Sequence, residues 1–364
     1  MKKIRSFGIA LLVLLWIALT AFSWFAPAKE ISDAERRPLA QFPEISAETL
    51  LDGNFMTKFE KYTLDQFPLR DRFRQLKSLT HYYLLGQKDN NEIYIADGHA
   101  AQMEYPLDEN SVDRALKQFQ RVYDRYLKEN NCKIFATVIP DKGYYLAEEN
   151  GYLALDYKKL FEKVQKGMPW AKYVDITDCL AIGNYYYTDT HWRQENILPV
   201  AKKLSQAMDV TYPKAEDFVT TELERPFYGV YYGQAALPMD PEPMYILENE
   251  LLDACTVFNY TTGQTAPVYD MEKLYSKDQY EVFLSGAQSL LRIDNPSAGT
   301  DRKLIVFRDS FGSSLTPLLV QDYAQITLVD IRYISVEVLD RYVDFQDADV
   351  LFLHSSLVLN KNLI

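Results

Sequence analysis

Between residues 303 and 354 the chain alternates short apolar runs with segments of helical spacing. This alternation restricts the fold more than any other feature. Residues 303–307, 326–329 and 350–354 read as strands, and 311–320 and 335–342 as helices. Strand–helix–strand repeats of this length join parallel strands through right-handed crossovers. Runs that are apolar at successive positions suit strands covered on both faces. A further such run, 133–139, follows a helix predicted over 111–128, whose stripe is Val112, Leu116, Phe119, Val122, Tyr123 and Leu127. The expectation is an α/β fold: a parallel sheet flanked by helices, with reactive residues at strand C-terminal ends.

The rest of the body fits around that frame. Ile93-Tyr94-Ile95 before Asp97-Gly98 reads as a strand and turn, 158–166 as a helix, 173–176 as a strand and 194–208 as a helix. From about 210 to 287 the pattern weakens into short β-like runs broken by Pro, Gly and Tyr, such as 228–232. That stretch is expected to be an insertion or elaborated edge within one domain spanning 91–364. Residues 29–90 read as a charged linker followed by a helical segment. Its apolar positions Leu50, Leu51, Phe55, Phe59, Tyr62 and Phe67 recur at helical spacing, with breaks at Gly53 and Pro68. Over 69–85 a basic amphipathic helix carries Phe73, Leu76 and Leu79 on one face, which suits a helix packed on the body or a membrane-proximal stalk.

Residues 1–28 set the compartment. Lys2, Lys3 and Arg5 precede an apolar run over 7–27, long enough to cross a bilayer. Positive charge before such a run keeps the N-terminus in the cytoplasm and sends the body out. Ala26-Pro27-Ala28 resembles a signal-peptide cleavage site. The run is longer than a usual signal core, however, and bulky Trp24 and Phe25 sit beside the site, which favours an uncleaved single-pass anchor. A cleaved segment would leave a secreted protein, so both readings place the body outside the cytoplasmic membrane.

A formal charge of -12 argues against nucleic acid, which demands clustered Lys and Arg. The 27 Tyr have flat bodies and polar tips that suit carbohydrate surfaces as well as cores. Cys132, Cys179 and Cys255 are too few and too irregular for a disulfide framework or a zinc site, though one disulfide between two of them stays open. No cofactor is expected.

Two short stretches carry chemistry. Asp189-Thr190-His191-Trp192 places a carboxylate two residues from an imidazole. Ser310 follows the apolar run 303–307 and opens a predicted helix, where its hydroxyl would stand at the sheet's C-terminal edge and helix-start N–H groups would face an oxyanion. His191 can take the proton of Ser310, and Asp189 can orient His191. A serine at a helix start is also the usual N-cap, so the position alone does not make it a nucleophile. Ser313 and Ser314 fall inside the helix. His81, His99 and His354 are scattered without metal-ligand spacing, so no metal is expected; His354 is a weaker rival for the base. Gly312 would let a substrate approach closely. Lys142 and Arg332 each follow a predicted strand, where they could bind an anionic substrate or play a surface or structural part.

Asp189-Thr190-His191-Trp192 resembles the signature of the DHHW family, with Thr190 in place of the first His. Glu35-Arg36-Arg37-Pro38-Leu39-Ala40, Asp65-Gln66-Phe67-Pro68-Leu69-Arg70-Asp71, Asp309-Ser310-Phe311 and Val329-Asp330-Ile331-Arg332-Tyr333 resemble segments of the same family, in the same order. That family is similar to the SGNH-like polysaccharide O-acetyltransferases of alginate biosynthesis, which carry the Asp-x-His pair before the serine. The resemblance implies an SGNH-like fold and Asp189, His191 and Ser310 as a catalytic triad. It also implies a membrane-anchored O-acyltransferase or esterase acting on cell-surface polysaccharide, with a multi-span membrane acyltransferase as partner. Two departures stand out. Arg308 occupies the Gly of the usual Gly-Asp-Ser block, and no Gly-x-Asn block completes an oxyanion hole. These departures, with the many tyrosines, favour the alternative of a non-catalytic carbohydrate-binding or envelope assembly protein on the same fold.

Overall fold

The computed structural model describes residues 2–364. The chain divides into two compact units, Met1–Asn91 with Tyr232–Pro238, and Glu92–Tyr231 with Met239–Ile364.

The first unit begins with helix α1, Lys2–Phe25. Among the described residues it is the one helix long and apolar enough to cross a membrane, through Ser6–Ser23. Further on come α2 (Asn54–Asp65) and α3 (Arg70–Leu79), separated at Pro68, where a missing N–H and a fixed φ break the helix as expected. Phe73, Leu76 and Leu79 are exposed, and Ser78 is the buried residue of α3. The two charged motif segments meet in an ion cluster. Arg37 donates to both oxygens of Asp65 (2.9 and 2.6 Å), Glu35 pairs with Arg70 and lies 3.2 Å from Arg74, and Ala40 N donates to Asp65 at 2.9 Å. Hydrogen bonding from Arg37 holds the Asp65 carboxyl at about 2. The returning residues 232–238 are stitched in by backbone carbonyls. Arg74 donates to Gly233 O, while Ser78 and Asn90 donate to Ala235 O.

The second unit is built on an eight-stranded sheet. In chain order its strands are β1 (Lys133–Ile139), β2 (Lys172–Tyr173), β3 (Thr256–Asn259), β4 (Gln264–Ala266), β5 (Leu290–Asp294), β6 (Lys303–Arg308), β7 (Gln325–Val329) and β8 (Asp349–Ser355). The spatial order is β4-β3-β5-β7-β6-β8-β1-β2. The run β7-β6-β8-β1-β2 is parallel, with Leu304 opposite Ile326 and Arg308 opposite Leu353. The apolar runs of β6 and β8 are buried on both faces. Val306, Leu304 and Leu353 face one core with α6 (Leu198–Met208). Ile305, Phe307 and Phe352 face another with α4 (Glu109–Val122) and α5 (Tyr157–Gly167). This is a mostly parallel α/β sheet flanked by helices, consistent with the SGNH-like architecture.

Three expectations change. The sheet gains an antiparallel-paired edge: β5, unanticipated in the sequence, pairs antiparallel with β7, β3 from the 210–287 stretch pairs antiparallel with β5, and β4 with β3. Residues 335–342 form only a 3₁₀ segment, Val336–Arg341. The β-like run 228–232 instead enters a helix, Val230–Ala235. The reason is a single acceptor loop. Gly229 N donates to Thr188 Oγ (2.9 Å), Val230 N to Asp189 Oδ2 (2.8 Å) and Tyr231 N to Thr188 O (3.0 Å). Successive N–H groups of a strand point to opposite sides, so a strand cannot aim three in a row at one loop. Cys132, Cys179 and Cys255 are all free thiols.

Candidate active site

The Asp189–His191 geometry starts locally. An antiparallel bridge between Tyr185 and Trp192 closes the loop that carries both residues, and Tyr186 N donates to His191 O at 3.1 Å. Asp189 Oδ1 accepts the backbone N–H of His191 at 3.0 Å, an Asx turn, and lies 2.6 Å from His191 Nδ1. A carboxylate only accepts, so Nδ1 carries the hydrogen on that bond and Nε2 of the neutral ring is left as acceptor. The two-residue spacing therefore lets one oxygen hold both the backbone and the ring of His191.

Ser310 lies just past β6. Its φ and ψ are -61° and -24°, and its side chain makes no capping bond to the short helix α7 (Phe311–Leu315). The hydroxyl instead stands 2.7 Å from His191 Nε2. Asp309 fixes this turn: Oδ1 accepts from Phe311 N at 3.0 Å, and Oδ2 accepts from Ser355 N at 2.7 Å at the end of β8. Ser310, His191 and Asp189 thus form one hydrogen-bonded line, with Asp189 fully buried and His191 7% exposed. Such a line can deprotonate the serine and shuttle its proton.

Trp192 bridges the two halves. Its fully buried indole donates from Nε1 to Phe311 O (3.1 Å) and Ser314 Oγ (2.9 Å), tying the histidine loop to α7. Glu242 clamps the loop from the other side. Its carboxylate accepts from Tyr187 N (2.9 Å), Thr188 N (3.0 Å), Thr188 Oγ (3.1 Å) and Arg193 (3.2 Å). Burial pushes its carboxyl pKa up. Tyr280, from the 210–287 stretch, lies flat on the imidazole of His191. Sequence reasoning missed Glu242, Val230 and Tyr280, because no shared periodicity or motif links them to the loop they hold.

The other candidates sit in specific places. Lys142 is buried, its ammonium donating to Ala100 O (2.6 Å) and Tyr187 O (3.2 Å) below the Tyr231 ring. Burial lowers it to about 7, with Asp189 and Glu242 opposing. Arg332 is turned back onto Asp330 through two bonds of 2.8 and 2.6 Å. Gly312 N donates to Asp309 O, and a Cβ on Gly312 would stand 2.8 Å from Arg308 Cβ. The Gly312 position therefore accommodates the stem of Arg308. His354 is buried against Phe119 and bonds neither Asp189 nor Ser310. Among the described residues no three His, Cys, Asp or Glu side chains gather as metal ligands.

The same architecture occurs in solved structures. A DHHW family protein from Eubacterium siraeum superposes with a TM-score of 0.61 at 19% identity, over 76% of this chain and 94% of that one. The fold is shared with a DHHW family protein. PatB1 of Bacillus cereus, solved with a sulfonyl adduct, gives a TM-score of 0.60 at 15% identity, over 74% of this chain and 96% of its own. PatB1 in a second structure gives 0.54 at 14% identity, over 74% and 98%. No family model matches the chain, and no curated protein matches it in sequence.

Proposed function

We propose that this protein is a membrane-anchored, extracytoplasmic O-acyltransferase or esterase that acts on cell-surface polysaccharide through Ser310, His191 and Asp189. The observation that carries this reading is the Ser310–His191–Asp189 line, at 2.7 and 2.6 Å. His191 Nε2 takes the Ser310 proton as Oγ attacks an acyl carbonyl. The proton then passes to the leaving oxygen, and the acyl group stays on Ser310. An acceptor hydroxyl, from a sugar or from water, then gives its proton to His191 and takes the acyl group. Asp189 stabilises the imidazolium formed in each half-reaction.

Three further points support the reading. PatB1, a structural neighbour, is described with a sulfonyl adduct, and sulfonylation is a reaction of activated hydroxyls. Helix α1 supplies a segment suited to crossing a bilayer. The segments that resemble the DHHW family contribute both the triad and the Glu35–Arg37–Asp65–Arg70 cluster. A multi-span membrane acyltransferase would supply the acyl group. The test uses purified full-length chain treated with phenylmethylsulfonyl fluoride, then with p-nitrophenyl acetate. Sulfonylation at Ser310, with turnover lost in Ser310→Ala, is the expected result. Turnover that survives Ser310→Ala rejects the triad. Transfer of acetyl to an oligosaccharide, followed by mass spectrometry, separates transferase from esterase.

A further inference from the structure

The three triad hydrogen bonds do not account for everything that touches His191. Tyr280 lies face to face with the imidazole, ring centroids 3.8 Å apart and planes 6° from parallel. Phe311 meets the imidazole at 4.9 Å and 56°. Tyr280 is itself held: its ring packs edge-on to Phe283 at 5.1 Å, and its hydroxyl bonds Ser314 Oγ at 2.8 Å. Ser314 also accepts the Trp192 indole N–H at 2.9 Å and belongs to the helix that begins after Ser310. The wall behind the base is thus anchored to the element that carries the nucleophile.

We propose that Tyr280 is a positioning residue that keeps the imidazole in place through the second half of the reaction. The inference rests on the triad reading above. In the free protein His191 is pinned at both nitrogens, by Asp189 and by the Ser310 hydroxyl. Once Ser310 is acylated its Oγ has no hydrogen to donate, and the bond to Nε2 is lost. The torsion that spins a histidine ring is soft, so one hydrogen bond at Nδ1 leaves the ring free to tilt. Nε2 must nevertheless stay beside the acyl carbon. There the acceptor hydroxyl gives its proton to Nε2, its oxygen bonds the carbonyl carbon, the carbon–Oγ bond breaks and Ser310 Oγ recovers the proton. The flat face of Tyr280 removes the tilt in that interval. It also offers π density to the imidazolium that forms.

The position yields a specific kinetic signature. With p-nitrophenyl acetate and the full-length chain in detergent, Tyr280→Leu is expected to keep the initial burst of p-nitrophenol. Its steady-state rate should fall on the order of tenfold to a hundredfold, the scale of a misplaced catalytic group. Acetyl-enzyme should accumulate in the intact mass spectrum, with KM not raised. Tyr280→Phe keeps the ring and loses only the Ser314 bond, so it should recover most of the steady-state rate. In a Ser310→Ala background, where Nε2 has lost its partner as it does in the acyl-enzyme, the downfield proton resonance of the His191 Nδ1–H should persist in Tyr280→Phe and broaden in Tyr280→Leu. Should Tyr280→Leu fail to fold, Tyr280→Met takes its place, flexible and close in volume. A steady-state rate and a downfield resonance both unchanged in the Leu or Met variant would overturn the positioning role. Equal losses in the Phe and Leu variants, tracking melting temperature alone, would overturn it as well. If the wild-type chain forms no acetyl-enzyme, the triad reading has failed. The Nδ1–H resonance still decides whether Tyr280 places the ring.

Discussion

Gly229 lies against Asp189 so closely that a Cβ on it would stand 2.3 Å from Asp189 Cβ and 2.4 Å from both its Cα and its N. The obstacle is backbone, which cannot swing aside. The contact is close because Gly229 N and Val230 N both point into the 188–189 loop, at 2.9 and 2.8 Å. Gly229→Ala must therefore push Val230 N–H off Asp189 Oδ2. We expect it to cost about 1–3 kcal/mol of stability, the scale of overpacking, and to lower kcat on p-nitrophenyl acetate with KM little changed. A urea melt and a steady-state assay measure the two effects. A variant as stable and active as wild type would show that the loop shifts without consequence.

Arg308 stands where the related motif has glycine, and restoring that glycine should damage this protein. The Arg308 side chain is fully buried, with its stem against Gly312, its Nη1 donating to Ser313 Oγ (3.1 Å) and Asp309 O (3.3 Å) and its Nη2 to Gly286 O (3.4 Å). Arg308→Gly opens a cavity beneath the nucleophile turn. By analogy with large-to-small core substitutions it should cost roughly 2–5 kcal/mol. Chemical denaturation reads this directly. Arg308→Met fills most of the volume without a buried charge and should be the more stable of the two. If the glycine variant equals the methionine variant in stability, Arg308 does not support the turn.

Glu242→Gln tests the clamp on the histidine loop. Four donors converge on the carboxylate: two backbone N–H groups, the Thr188 hydroxyl and Arg193. An amide nitrogen set among them has hydrogens to offer and nothing to accept. The expected loss is about 1–3 kcal/mol, the cost of unmatched buried polar groups, with reduced kcat because Thr188 flanks Asp189. Unchanged thermal stability in Glu242→Gln would count against the clamp.

Stability should fall in mildly acidic solution because of His354. The ring is fully buried against Phe119, its Nε2 has no hydrogen-bond partner, and burial pushes it down to about 4; Asp309, Asp330 and Arg332 are the charges that act on it. Unfolded, it titrates at an ordinary 6.5. The folded value is depressed, so the stability associated with the neutral ring is complete above 6.5 and is lost as pH falls towards 4. The size is on the order of 1–3 kcal/mol. His99, also pushed down to about 4 by burial, acts in the same window. Urea midpoints at pH 7 and pH 5 should differ in the wild type and differ less in His354→Phe. Equal midpoints in the wild type would refute the claim.

What the sequence determined by itself is what short-range physics encodes. Runs such as 134–139 and 304–307 are apolar at nearly every position, β-branched or aromatic at several, and short, which suits a strand covered on both faces, so the parallel core is legible. Pro68 broke its helix for reasons contained in one residue. The Asp-x-His spacing was informative because its contacts, Asp189 Oδ1 to the backbone and ring of His191, close within two residues. The tertiary structure alone decided what meets across long stretches of chain. It put the Ser310 hydroxyl on His191 rather than in a helix cap, and it extended the sheet edge with β5, β3 and β4, each paired antiparallel to its neighbour. Residues 228–232 have strand-forming side chains, yet they fold towards a helix because three successive N–H groups are needed by the 188–189 loop. Tyr280 and Glu242 carry no local sign of their roles. Their positions come from packing among segments that share no period, and that packing follows only from the assembled fold.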